Sequence, residues 1–537
     1  MGSAGLRDRR QVPGRRWAGT GVIEQPSYDA AIGANPPLPM EQTPSNAAVP
    51  APLAVDPHPP RLAKVTRAAA SRTDQGASPM IQPATRNPFA VRDFRLLWAG
   101  ETISVLGDQF ALIALPWLAL VLTGSGLALG SVLALMAVPR ALLMLIGGVS
   151  VDRLSPRLVM LASNAVRMVA VTALGIVVLA DVAELWTLYA FALVFGVADA
   201  FFFPAQTSIV PQLVGPDQLQ RANGIVQGTA QASALVGPAL AGIVIAALGG
   251  EAAATNAAGI AAALLLDAVS FGISLLTLWL MRARPRAERA PASVIEDLKA
   301  AFRHVGEVPG LRAVIVVSLA ANFLIVGPFE VGLPVMAYQR LPEGAAAFGI
   351  LLSAFGGGSL VGLVLGAMLP APRPTRFAFV VLGATGLPGL GLAILPFVQS
   401  TLAAAIVIAA SSISLGYGNL HGMTWVQARI APVLMGRVMS VLMLGSMGLI
   451  PVSMLVAGAV VQLSLDGMLV VAGVGMASFT TAALLSPTVR RLGLVPPYQP
   501  PAAEVAGEPG GDRDAEGATE AGGASGPELA ASVSPSA

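Results

Sequence analysis

The sequence predicts an all-α integral membrane protein of about twelve transmembrane helices, in two six-helix bundles related by a parallel repeat. Three observations predict it. Of 537 residues, 55% are hydrophobic and only 12% charged, with a mean hydropathy of +0.71; a soluble domain carries about 25% charged residues. The apolar residues gather in runs near the roughly 20 residues that a bilayer demands of a helix. Aromatic residues are only 5%, and the runs are Leu, Ala, Val and Gly, which fits helices and not the short alternating strands of an outer-membrane barrel.

In order along the chain, residues 1–88 are rich in Pro, Ala, Arg and Ser and contain no apolar run. They are expected to form a disordered cytoplasmic tail. No apolar stretch follows the early arginines, so no cleavable signal peptide is expected; Met80, which opens MIQPATRNPFAVRDFRLLWAG, reads as a second natural start. The first bundle occupies 89–281, with spans at 95–122, 127–149, 158–180, 185–207, 222–248 and 257–281. A cytoplasmic linker follows at 282–310. It carries Arg282, Arg284, Arg286 and Arg289, then the capping-box pattern Ser293-Val-Ile-Glu296, then Ile295, Leu298, Phe302 and Val305 on one helical face. That pattern predicts an amphipathic helix on the inner membrane surface. The second bundle occupies 311–488, with spans at 311–338, 346–369, 377–397, 401–424, 436–463 and 467–486. Residues 489–537 are expected to be a disordered cytoplasmic tail.

Charge orients the spans. One set of connections carries Arg153 and Arg157, Arg221, the linker arginines, Arg373 and Arg376, Arg429, and Arg490 and Arg491. The other carries Asp181, Glu184, Glu251, Glu343 and Asp466, with Arg340 as its one basic residue. The positive-inside rule places both termini in the cytoplasm of a multi-pass protein of the plasma membrane.

Composition also excludes. The net charge is +2 and the pI about 9.2, but the basic residues fall between apolar spans, so nucleic acid is not an expected partner. There is no cysteine, and His58, His304 and His421 are scattered, so no metal site is expected. The two lysines, Lys64 and Lys299, lie in no phosphate-binding loop, which excludes a nucleoside-triphosphatase of the Walker type. No cofactor is expected. An intramembrane enzyme would need a nucleophile and a base at matching depth. Only His421 offers an intramembrane histidine, and no G-x-S-x-G elbow surrounds a serine; the chain reads as no enzyme.

The halves repeat in the same orientation. Phe110 to Pro116 in span one matches Phe329 to Pro334 in span seven, Gly130 matches Gly349, Arg157 matches Arg376, and Pro238 matches Pro451. Parallel six-span repeats are the build of the major facilitator superfamily, and two motifs strengthen the likeness. Gly148-Val-Ser-Val-Asp152-Arg153-Leu-Ser-Pro-Arg157 resembles that superfamily's loop motif G-x-x-x-D-R-x-G-R-[KR], with Ser155 in place of glycine. Span five, with Gly224, Ser233, Gly237-Pro238 and Ala241-Gly242, resembles the antiporter motif of drug-exporting members. The stretches FRLLWAGETISVLGDQFALIALPWLALVLTGSGLALG and FFFPAQTSIVPQLVGPDQLQRANGI resemble the branch holding macrolide-efflux proteins and enterobactin exporters among drug:proton antiporters. The resemblance covers roughly residues 90–490 and is silent on the substrate.

The resemblance implies a gate at Gly148, Asp152, Arg153 and Arg157. Asp152 and Arg153 can clasp the two bundles on the inner side in one state; the plainer reading is a topology signal. It also implies that Gly237, Pro238 and Gly242 seal the bundle against proton leak; the plainer reading is close helix packing around a proline kink. Charge inside hydrocarbon costs at least about 2.5–3.5 kcal/mol at the midplane, so it is kept for a reason. At 1.5 Å per residue, Asp108, Arg140, Arg167 and Asp267 fall near mid-bilayer, Asp199 in the inner half of span four and Glu101 shallower, while Glu330 and Asn322 lie in span seven. These acids and arginines are the candidate proton and substrate groups, with Asp108 foremost and Arg140 and Arg167 its expected partners. His421 is read as a packing histidine. The functional expectation is a monomeric secondary transporter of a bacterial inner membrane, exporting amphipathic small molecules by proton antiport with alternating access. The alternative is an exporter dedicated to one natural product, such as a siderophore or macrolide.

Overall fold

The computed structural model describes residues 87–249, 257–282, 309–430 and 435–498. The chain divides at Met80, and every described residue belongs to the unit Ile81–Ala537. The expected tail at 1–86, the arginine-rich linker with its amphipathic helix, Glu251, and the tail beyond 498 lie outside the described residues.

All regular elements among the described residues are helical. They are α1 (Arg92–Thr123), α2 (Gly126–Arg153), α3 (Pro156–Leu179), α4 (Leu185–Leu213), α5 (Pro216–Leu248), α6 (Ala257–Leu280), α7 (Pro309–Ala321), α8 (Gly327–Arg340), α9 (Ala345–Met368), α10 (Phe377–Ile394), α11 (Thr401–Gln427), α12 (Met435–Val461), α13 (Leu465–Leu485) and the short α14 (Pro487–Arg490). A π-helical turn, Asn322–Val326, joins α7 and α8 into one span. Eleven of the resulting rods are long and apolar enough to cross a membrane, and α12 adds the shorter apolar stretch Met447–Val461. The twelve expected spans correspond to these in order.

Local chemistry sets the ends. Gly124 terminates α1 at φ 60°, a left-handed cap that glycine adopts without penalty. Ser125, Ser155, Ser400 and Ser464 each accept a backbone N–H at the start of α2, α3, α11 and α13. Ser155 is the residue that departs from the loop motif's glycine. Here it caps α3, with Pro156 at the first helical position.

Two boundaries differ from the sequence expectation. The unit starts before residue 89: Asn87 caps the turn Pro88–Ala90, Pro88 is buried, and the Phe89 ring lies 5.0 Å from that of Trp98. At the other end, residues 489–498 are folded back and not a free tail. Val489 and Leu492 are buried, Trp425 Nε1 donates to Leu492 O (2.9 Å), and Arg429 donates to Val495 O (2.6 and 2.9 Å). The apolar residues of this segment cover Trp425, which would otherwise be bare at the end of α11.

Helices α1–α6 form one bundle and α7–α13 the other. Both chain ends of the helical unit lie on one side, here called the terminal side; the opposite side carries the turns at 124–125, 180–184, 341–344 and 462–464. The halves meet along two seams, α2 against α12 and α5 against α9. Glycines make each seam. A Cβ on Gly130 would strike the Met454 carbonyl and Gly458, and one on Gly349 would strike the Pro238 carbonyl and Gly242. These contacts lie in the far-side halves of the helices. There, too, Ala239 N donates to Ser353 Oγ (2.9 Å) and Trp117 meets Tyr338 edge to face at 5.5 Å. The molecule is thus closed on the far side.

The expected match of Pro238 with Pro451 is three residues out of register. The seams show that the partner of Pro238 is Met454, since both present a carbonyl to an equivalent glycine. Pro451 and Pro238 attract attention as prolines, yet the repeat is held by the glycine contacts.

Candidate functional site

Five charged residues sit near the midpoints of five helices: Asp108 in α1, Arg140 in α2, Arg167 in α3, Asp199 in α4 and Asp267 in α6. The bundle brings them together. Arg167, 2% exposed, pairs through Nη2 with Asp199 Oδ1. Arg140 Nε lies 3.1 Å from Asp199 Oδ2, an ion pair across the other carboxylate oxygen. Asp199 therefore bridges two guanidiniums. The Arg167 guanidinium is further held by three rings, Phe202 at 4.0 Å, Phe195 at 5.3 Å and Phe271 at 5.7 Å. The Arg140 side chain is 39% exposed, so the cluster has one open end.

This corrects the expected pairing. Sequence depth assigns both arginines to Asp108, but the side chains deliver them to Asp199, because α4 packs against both α2 and α3. Asp108 interacts electrostatically with Arg167 and Arg140 from α1. Its Oδ1 is buried without a hydrogen-bond partner, as is Asp267 Oδ2, among the described residues. Asp267 is fully buried and takes a bond from Ser270 Oγ (3.3 Å). Gly107 permits this arrangement, since a Cβ there would strike Ser270 and Asp267.

A second polar layer lies two helical turns toward the terminal side. Glu101 accepts from Gln206 Nε2 (2.8 Å) and Ser274 Oγ (3.2 Å), and Ser274 in turn accepts from Asn164 Nδ2 (3.0 Å). Sequence reasoning missed Asn164, Gln206, Ser274 and the phenylalanine cage. A signal was present: 101 and 108, 199 and 206, and 267 and 274 each share a helix face at seven-residue spacing. Together the layers contain four carboxyls and two guanidiniums.

The other candidates lie elsewhere. Glu330 is in α8 of the second half, just past the π-turn, and among the described residues pairs with no base. The π-turn is fixed by Ser453 of α12, whose Oγ donates to Phe323 O (2.6 Å) and accepts from Gly327 N (3.0 Å). His421 meets Tyr417 edge to face at 4.5 Å. Of the loop motif, Arg157 donates to Leu278 O (2.7 Å) and Trp279 O (2.8 Å), capping the end of α6 within its own half. Gly148 is in α2, and Asp152 and Arg153 form its last turn; the side chains of these two are not among those described. Of the span-five motif, Gly237 packs on Gln109 of α1, while Pro238 and Gly242 form the seam with α9.

A family profile described as Major Facilitator Superfamily matches residues 97–454. The multidrug efflux pump Tap of Mycobacterium tuberculosis is 26% identical over 380 residues, 68% of this chain and 86% of the relative. Macrolide efflux protein A of Streptococcus pyogenes is 23% identical over 274 residues, 51% of this chain and 66% of that protein. Among solved structures, a bacterial homologue of the iron transporter ferroportin, in an inward-facing state, aligns with TM-score 0.57 at 18% identity, covering 73% of this chain and 98% of its own. The nucleoside transporter NupG aligns with TM-score 0.56 at 12% identity, over 73% of this chain and 98% of its own. At such identities these two likenesses concern the fold.

Proposed function

This chain belongs to the Major Facilitator Superfamily of membrane transporters, and we propose that it exports amphipathic small molecules in exchange for protons. The observation that carries the reading is the pair of polar layers in the first half, which together contain four carboxyls and two guanidiniums. Two arginines cannot compensate four carboxylates in hydrocarbon, so the cluster is the place in this chain suited to take up and release protons. The relatives named as multidrug and macrolide efflux proteins support the direction and the substrate class.

In this reading the basic connections face the cytoplasm, so both termini are cytoplasmic and the conformation described is closed to the outside. Substrate enters from the terminal side, the seams open, and the terminal side closes where Asp152 and Arg153 end α2. Asp199 bridges its two arginines and holds α2, α3 and α4 together. Asp108, next to them and with no hydrogen-bond partner for its buried Oδ1 among the described residues, is the group that exchanges its proton. One chain contains both halves and both layers, so a monomer suffices.

The test is transport of Hoechst 33342 in inverted membrane vesicles. The dye should be moved only while a pH gradient stands, and nigericin should stop it. Transport indifferent to nigericin would refute proton coupling, and no dye movement would refute export. In a drug-susceptibility panel, protection against several unrelated compounds is expected; protection against one alone would mean a dedicated exporter.

A further inference from the structure

A cavity of about 390 Å³ lies inside the second half, between α7, α10, α11 and α12. Its lining includes Ala313 near the start of α7 and Val426 near the end of α11, so it sits toward the terminal side, away from the closed seams. The repeat makes this informative. The corresponding first-half helices α1, α3 and α4 close around Asp108, Arg167 and Asp199. In the first half the corresponding helices carry paired charge and phenylalanine rings; the described lining of the second-half cavity carries no charge.

The walls define the ligand. Among the described residues, none that lines the cavity is charged, so an ionised group inside it would find no counter-charge among them. Among the described residues, three polar side chains line it: Ser318, Thr385 and Asn419. Thr385 Oγ1 donates to Leu382 O (2.9 Å), which leaves its oxygen as an acceptor. Among the described residues, the Ser318 hydroxyl and the Asn419 amide have no hydrogen-bond partner. Met423, Met439 and Met447 supply pliable apolar surface that adapts to different shapes. The volume falls in the range of about 300–1,000 Å³ that accepts drug-sized molecules.

Resting on the exporter reading above, we propose that this second-half cavity is the subsite that holds the uncharged apolar body of the substrate, with Ser318, Thr385 and Asn419 as its polar anchors. The halves then divide the work: the first handles protons and the second recognises neutral amphipathic molecules.

The chain has no cysteine, so one introduced thiol reports one place. The probe is Nile red, a neutral apolar dye, with the full chain in lipid nanodiscs and no gradient. Saturating Nile red should slow N-ethylmaleimide modification of Thr385→Cys about tenfold and leave Thr207→Cys, an exposed position in the first half, unchanged. At Gly422 an added Cβ meets only Val381, at 3.8 Å, so Gly422→Leu fills the cavity without striking backbone. It should weaken Nile red binding about tenfold or more. Equal labelling of Thr385→Cys with the dye bound would overturn the proposal, as would undiminished binding to a folded Gly422→Leu or no binding to the wild type. If Gly422→Leu does not fold, the cysteine measurement decides. Binding is read here without a gradient, so this proposal and proton coupling fail separately.

Discussion

Gly130 and Gly349 make the same contact on opposite seams of the molecule. Gly130 of α2 lies against the Met454 carbonyl and Gly458 of α12; Gly349 of α9 lies against the Pro238 carbonyl and Gly242 of α5. Helices approach this closely only where a side chain is missing, and backbone carbonyls cannot swing aside as a flexible side chain can. Both seams are therefore tight and symmetric. The proline kink adds a bond: Ala239 N, freed from its ordinary ladder position beside Pro238, reaches Ser353 of the other half.

Gly349→Leu should force the far side apart. The added side chain has no room against the Pro238 backbone, so the conformation closed on that side is lost while each half stays folded. In the cysteine-free chain, maleimide labelling of Val461→Cys, which is 8% exposed and packs on Gly126 at the other seam, should rise about tenfold on adding Gly349→Leu, the size expected for a shift of about 1.4 kcal/mol. Unchanged labelling in a folded protein would mean that the seam tolerates the bulk.

Asp199→Asn should damage stability more than Asp108→Asn. Asp199 compensates Arg167, which is buried among three rings, and removing one partner of a buried pair costs about 3–5 kcal/mol. Among the described residues, Asp108 has no direct ion pair to lose. Thermal unfolding in detergent should show a clearly lower midpoint for Asp199→Asn and a near-normal one for Asp108→Asn. The reverse order would move the structural role to α1.

Asp152→Asn should cripple transport with normal expression. The residue lies in the last turn of α2, where a carboxylate opposes the helix dipole by about 0.3–1 kcal/mol unless something compensates it. In the gating reading the compensating contact exists in one state only. Dye transport equal to wild type would leave Asp152 as a topology residue.

Deleting residues 1–79 should leave transport intact. No apolar or periodic segment occurs there, and the helical unit already caps itself with Asn87 and buries Pro88. A truncated protein that is made but does not transport would contradict this.

The spans were legible in the sequence because hydropathy over about 20 residues is a strong signal, and their order and number match the helices. The repeat was legible through Gly130 and Gly349, less so through Pro238, whose partner is a methionine that carries no visible signature. Depth along a helix places Asp108, Arg140, Arg167 and Asp267 near mid-bilayer, but puts Asp199 in the inner half of its span, whereas the structure joins Asp199 to the same layer. It could not say which acid takes which arginine, because that depends on rotation about each helix axis and on which helices touch. For the same reason Phe202 and Gln206 looked like ordinary span residues until α4 turned them toward Arg167 and Glu101. The second-half cavity had no sequence signal at all, since it is defined by what its helices leave unfilled.

In the proposed function, protons are exchanged in the first-half cluster through Asp108. The most direct measurement is Hoechst 33342 transport by Asp108→Asn in inverted vesicles across a range of pH. Asn keeps the volume and hydrogen-bonding capacity but cannot take up or release a proton. Gradient-driven transport should be lost or no longer vary with pH, while Nile red binding in nanodiscs without a gradient should be retained. Full gradient-driven transport by Asp108→Asn, with loss in Asp267→Asn or Glu101→Gln, would assign the proton to one of those; full transport by all three would contradict proton exchange in the first half and leave Glu330 as the group to test.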